Sequence, residues 1–101
     1  MHNREQTVEA DVSLLEQEIE PATFVLETVY KGERRIIADG VAFPPPNEMV
    51  VVSWRASGST ELIPSVESLY ERFGDAPRVM WRHSSGILTE SEPQAFIDSY
   101  Q

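Results

Sequence analysis

His2 and His83 are the only side chains of this 101-residue chain with an ordinary pKa near neutrality, so any general-base chemistry at pH 7 would begin with them. A nucleophile needs a base within hydrogen-bond reach and a third group to orient that base. His83 has Ser84 beside it, but adjacency along a chain does not build such a triad, and His2 stands at the terminus. Two distant histidines among scattered acids also match no metal-ligand spacing. With no cysteine, thiolate nucleophiles, disulfides and iron–sulfur ligation are excluded together. Paired carboxylates do acid and base work when burial drives their pKa values apart. Glu16, Glu18, Glu20, Glu90 and Glu92 instead fall on a helix edge or in a tail, where solvated faces are expected. The Ser57-Gly58-Ser59 stretch lacks the strand-loop-helix context of a phosphate cradle and reads as a hairpin turn. The chain is therefore expected to have no catalytic residues, no cofactor and no metal, and not to be an enzyme.

Trp54-Arg55 with Arg78, Trp81, Arg82 and His83 come nearest to a nucleic-acid surface, which needs basic and aromatic side chains interleaved. Strand alternation sends each tryptophan to the face opposite its neighbouring arginine. The net charge of −9 further disfavours direct binding to phosphates. That charge is unevenly spread: residues 1–20 carry −5, residues 21–83 carry −1 and residues 84–101 carry −3. Acidic ends on a balanced middle suit a basic partner.

The element that presents most of this acidity is an amphipathic helix over residues 7–20. Val8, Val12, Leu15 and Ile19 recur at helical spacing, Thr7 can cap the start and Pro21 ends it. Glu9, Glu16 and Glu20 line one side of this apolar seam, and Asp11 and Glu18 line the other. Two heptads are too short to be stable alone, so the seam must dock on something. One reading makes it ordinary core with solvated shoulders. The other makes Glu9, Asp11, Leu15, Glu16, Glu18, Ile19 and Glu20 a partner-binding surface for an apolar groove rimmed by Lys or Arg. In its sharpest form the acids imitate the phosphate row of a nucleic acid. The seam also admits a homo-oligomer.

Further along, Thr23–Tyr30 alternates with period two, Lys31-Gly32 turns the chain, and Glu33–Phe43 returns it as a second strand. Gly40 marks a bulge or a close approach within that strand. Pro44-Pro45-Pro46-Asn47 ends it. Met49–Arg55 is the strongest strand, with Val50, Val52 and Trp54 on one face and Val51, Ser53 and Arg55 on the other. Ala56–Ser59 turns it toward Thr60–Ile63. Ser65 caps a helix carrying Val66, Leu69, Tyr70 and Phe73 on one face, with Gly74 after it. Arg78–Arg82 is a last strand with Val79 and Trp81 inward. Ser84-Ser85-Gly86 reads as a linker to a tail in which Ser91 caps a short helix over Glu92–Ser99 and Phe96, Ile97 and Tyr100 form a small apolar patch. The expected fold is α+β in a single domain over 1–101: a small antiparallel sheet of four to five strands, curled toward a barrel, with one packed helix. It divides into an acidic N-terminal helix (1–20), a sheet-plus-helix core (23–83) and an acidic tail (84–101).

The beginning of the chain has no apolar signal core, and no run nears the ~18 apolar residues of a membrane helix, so a soluble cytoplasmic protein away from membranes is expected. Gly40-Val41-Ala42-Phe43, Val50-Val51-Val52-Ser53-Trp54-Arg55, Ser65-Val66-Glu67-Ser68-Leu69, Gly74 and Arg78-Val79-Met80-Trp81 resemble small uncharacterised phage and mobile-element proteins of GC-rich bacteria and archaea. The likeness covers residues 36–82. It implies no activity, only a setting in which small acidic proteins bind and block host machinery. Two functions follow as expectations. The first is an anti-defence inhibitor, of anti-CRISPR or anti-restriction type, that binds a basic, nucleic-acid-handling host protein. The second is a virion-associated accessory domain that assembles through the Val8–Ile19 seam or the Phe96–Tyr100 patch.

Overall fold

Apolar residues at alternate positions bury one face of a strand, and here six strands share that face. The computed structural model describes residues 20–99. The expected helix over 7–20, and with it Glu9, Asp11, Leu15, Glu16, Glu18 and Ile19, lies outside them except for Glu20. Six strands, β1 (Ala22–Tyr30), β2 (Glu33–Ala42), β3 (Val50–Trp54), β4 (Thr60–Ile63), β5 (Arg78–Arg82) and β6 (Leu88–Thr89), form one sheet in the order β4-β3-β2-β1-β5-β6. Every pairing is antiparallel. The fold is thus α+β, with two corrections to the sequence reading. Among the described residues there are six strands rather than four to five, and β4 and β6 each pair on one side, so this sheet does not close into a barrel. The sixth strand comes from the expected linker and tail. His83 N–H donates to the Ile87 carbonyl and Gly86 N–H to the His83 carbonyl, which makes Ser84-Ser85-Gly86 a hairpin turn instead of a linker.

Local chemistry accounts for the joints. Lys31 and Gly32 both take positive φ, 52° and 80°, as a two-residue type I′ hairpin requires for strands of right-handed twist. Helix α1 (Val66–Arg72) starts at Ser65, whose hydroxyl accepts from the Ser68 amide at 3.1 Å. It ends at Phe73, one residue before Gly74. Helix α2 (Gln94–Asp98) is shorter than the expected 92–99 and begins after Pro93 with no side-chain cap, so Ser91 does not serve as one.

The core lies on one face of the sheet, where Phe24, Leu26, Ala38, Ala42, Val50, Val52, Ile63, Val79 and Trp81 meet Val66, Leu69 and Phe73 of α1 and Phe96 of α2. Trp81 is fully buried, with ring centroids 5.1 Å from Phe24 and 5.7 Å from Phe96, and its indole N–H donates to the Tyr70 hydroxyl at 2.6 Å. Burial of Phe96 takes it out of the expected Phe96–Tyr100 surface patch, of which Tyr100 lies outside the described residues: the acidic tail returns to close the core. The bulge also sits elsewhere than expected. The β1–β2 register shifts between Leu26 and Glu27, while Gly40 makes the close approach, with the Phe24 ring lying where its Cβ would be.

Candidate interaction surface

Alternation and register also fix the residues on the face away from α1 and α2. Pairing places Leu88, Arg82, Thr23, Val41, Val51 and Leu62 side by side from β6 to β4. The next row holds Met80, Val25, Asp39, Ser53 and Thr60. Beyond it lie Arg78, Glu27 and Ile36. The first row carries one cation, no anion and a run of partly exposed aliphatics ending at Leu62, which is 66% exposed. A shallow concavity of about 460 Å³ opens over these rows, lined by Thr23, Asp39, Val41, Val51, Ser53 and Arg82. A second, of about 510 Å³, adjoins it at Thr23 and Arg82 and is bordered by Glu20, Pro21, His83 and Phe96. Val25 and Met80 belong to this open face yet are buried. Register sets Arg78 and Arg82 near them, whose long stems can shield apolar neighbours while their heads stay wet.

Charge on this face is mostly committed. The Arg55 guanidinium donates to both Asp39 oxygens at 2.9 Å. That pair holds the Asp39 carboxyl below its usual range, and the nearby Arg82 charge lowers it further. Arg78 donates to Glu90 at 2.7 Å. Glu27 is 8% exposed, and its Oε1 has no hydrogen-bond partner, with the Arg34 Nε 4.0 Å away. The Arg82 side chain is exposed and makes neither an ion pair nor a hydrogen bond with another described side chain, though its charge acts on Asp39.

On the helical side Glu61 accepts from both Arg72 and the Trp54 indole, and the Arg72 bond holds its carboxyl low. Burial pushes the Glu92 carboxyl and the Tyr70 hydroxyl up. Asp39 and Glu61 have folded pKa values below their unfolded ones, so each contributes stability above its unfolded pKa that is lost as pH falls through the folded value. These two pairs therefore add no slope to the melting temperature above about pH 5 and a fall in acid, and Asp39→Asn with Glu61→Gln should flatten that acid limb. A limb unchanged in the double variant, followed by circular dichroism, would rule these two pairs out as its origin. Glu92 has the opposite sign and cannot produce such a limb.

Of the two histidines weighed for catalysis, His2 lies outside the described residues and His83 sits in structural bonds. His83 Nε2 lies 2.7 Å from the Thr89 hydroxyl and 3.0 Å from the Ser91 carbonyl, to which it donates, clasping the β5–β6 turn; among the described residues no hydrogen bond joins it to Ser84. No group of three or more His, Asp or Glu capable of holding a metal occurs among the described residues, nor any helix long and apolar enough to cross a membrane. Trp54 and Trp81 pack with the core, on the face away from Arg55 and Arg82. Of the acidic partner-binding residues expected from sequence, only Glu20 is described: it is exposed and borders the second concavity. The Arg82–Leu62 row was missed because it needs the register of four pairings, although the outward Val51 was a signal for it.

Residues 20–99 thus form an open six-stranded antiparallel sheet in an α+β arrangement, with both described helices on one face. Comparison with protein-family models, with curated proteins and with solved structures finds no match to this chain.

Proposed function

We propose that this protein is a non-enzymatic interaction protein whose acidic surface engages a basic partner. The observation that supports it is how the charges are spent. Of seven described bases, Arg34, Arg35, Arg55, Arg72 and Arg78 are held in ion pairs with the domain's own acids. Among the described residues Glu20, Glu48, Glu67, Glu71, Asp75, Glu92 and Asp98 have no such pair, and the sequence before Glu20 holds five more acids, Glu5, Glu9, Asp11, Glu16 and Glu18, against Arg4. The charge left over for an outside partner is therefore negative, which steers encounter with a basic surface. A nucleic-acid-handling host protein fits, because its binding channel is built for a row of anions. An anti-defence inhibitor of a phage or mobile element is the concrete form of this reading. Among the possible contacts, Glu9, Asp11, Leu15, Glu16, Glu18, Ile19 and Glu20 carry the highest acid density.

Capture of the partner from host lysate on tagged protein, followed by stepwise salt elution, tests the reading. A basic nucleic-acid-binding protein should leave at moderate salt, and reversing Glu9, Glu16 and Glu20 to Lys should weaken capture at least tenfold with the fold retained. Capture unaffected by the triple reversal would remove these acids from the interface.

A further inference from the structure

The open sheet face has an apolar row, an exposed cation outside the ion pairs of the described residues and a chain entry point beside both, and together they select an occupant. We infer that residues 8–19 of the same chain dock on this face, seating Val8, Val12, Leu15 and Ile19 along the Thr23–Val41–Val51–Leu62 row.

Three features argue for this segment. The first is the tether: Glu20 and Pro21 border the concavity that meets the apolar row at Thr23 and Arg82, so the preceding residues start at the end of the surface they would cover. The second is span. As a helix, Val8 to Ile19 rises about 16 Å, and three strand spacings from β1 to β4 cover about 14 Å. The third is charge. The row carries Arg82 and no anion, and the seam is flanked by Glu16 and Glu20 on one side and Asp11 and Glu18 on the other. With the seam down, Arg82 gains an acid beside it at the tethered end, and the opposite side of the helix shows Ala10, Ser13 and Gln17, with Leu14 as its single large apolar residue. Burial of the seam supplies the support that a two-heptad helix lacks alone. The docked segment would hold its carboxylates in fixed rows beside the sheet. The inference narrows the partner reading, because Leu15 and Ile19 would then face the sheet and leave the flanking acids to an outside partner.

The chain has no cysteine, so a single nitroxide at Gln17→Cys, on the side away from the seam, reports the contact cleanly. In isotope-labelled, spin-labelled protein the amide signals of Val41, Val51 and Leu62 should lose at least half their intensity relative to the reduced label, with those of Val66 and Leu69 much less affected. Mixing spin-labelled unenriched protein with isotope-labelled protein lacking the nitroxide should give no loss. Adding Leu15→Asp should restore the signals with the spectrum otherwise dispersed, and Arg82→Glu should restore them in part. Loss of equal size in the mixed sample would assign the face to a second copy and overturn the inference, as would no loss at Val41, Val51 and Leu62 in any sample.

Discussion

Phe96→Ala is expected to lower the stability of the domain by about 3–5 kcal/mol, the usual cost of removing a buried aromatic side chain. Phe96 is 1% exposed and closes a stack that runs through Trp81 to Phe24, the three largest fully buried side chains. Its removal leaves a cavity beside Trp81, and that indole cannot follow it without leaving the Tyr70 hydroxyl to which it donates. For a domain of this size each kcal/mol moves the melting temperature by about 4–8 °C, so a drop of more than about 10 °C is anticipated. Thermal denaturation followed by far-ultraviolet circular dichroism measures it directly. Ile97→Ala, at a half-buried neighbour, serves as the control and should cost far less. If Phe96→Ala and Ile97→Ala were equally mild, the tail would be an appendage and α2 would not belong to the core.

That tail shows where sequence reasoning stopped. Alternation places Phe24, Leu26, Val50, Val52, Val79 and Trp81 inward without any structure, and the Ser65 cap and the Lys31-Gly32 turn are equally legible, because each depends on neighbours within a few residues. Leu88–Thr89 is two residues long and has no period to detect. It becomes a strand only because the His83–Gly86 turn folds it beside Trp81 and Arg82. Likewise, Arg82 could be assigned outward from its own strand. That Thr23, Val41, Val51 and Leu62 stand in line with it depends on register across five strands, and a slip of one residue would send the whole set to the other face. The bulge between Leu26 and Glu27 is such a register change, and no glycine marks it. The acidic residues expected to bind a partner were found by composition and wheel position, and only Glu20 among them has its place described.

Gly40→Ala should destabilise the domain by about 3 kcal/mol, at the upper end of the usual cost of overpacking, in a strand where glycine-to-alanine replacement would otherwise be mildly favourable. Gly40 does not take a positive φ, so its backbone suits any residue; what it lacks is room. A Cβ there would enter the Phe24 ring, which crosses β2 at this point from its paired position on β1. The ring has nowhere to go, being 1% exposed and held against Trp81. The sign of the effect therefore separates close approach from ordinary strand propensity. Coupling with Phe24→Leu sharpens the test, because a branched aliphatic side chain gives up the space that the ring occupies. The double variant should be less destabilised than the two single changes together, with a coupling of about 1–3 kcal/mol, as for other residues in direct contact. Strict additivity in chemical denaturation would mean that the two side chains do not compete for one volume. A stabilising Gly40→Ala would mean that β1 and β2 meet elsewhere, and the alignment of Thr23, Val41 and Val51 on the open face would fall with that register.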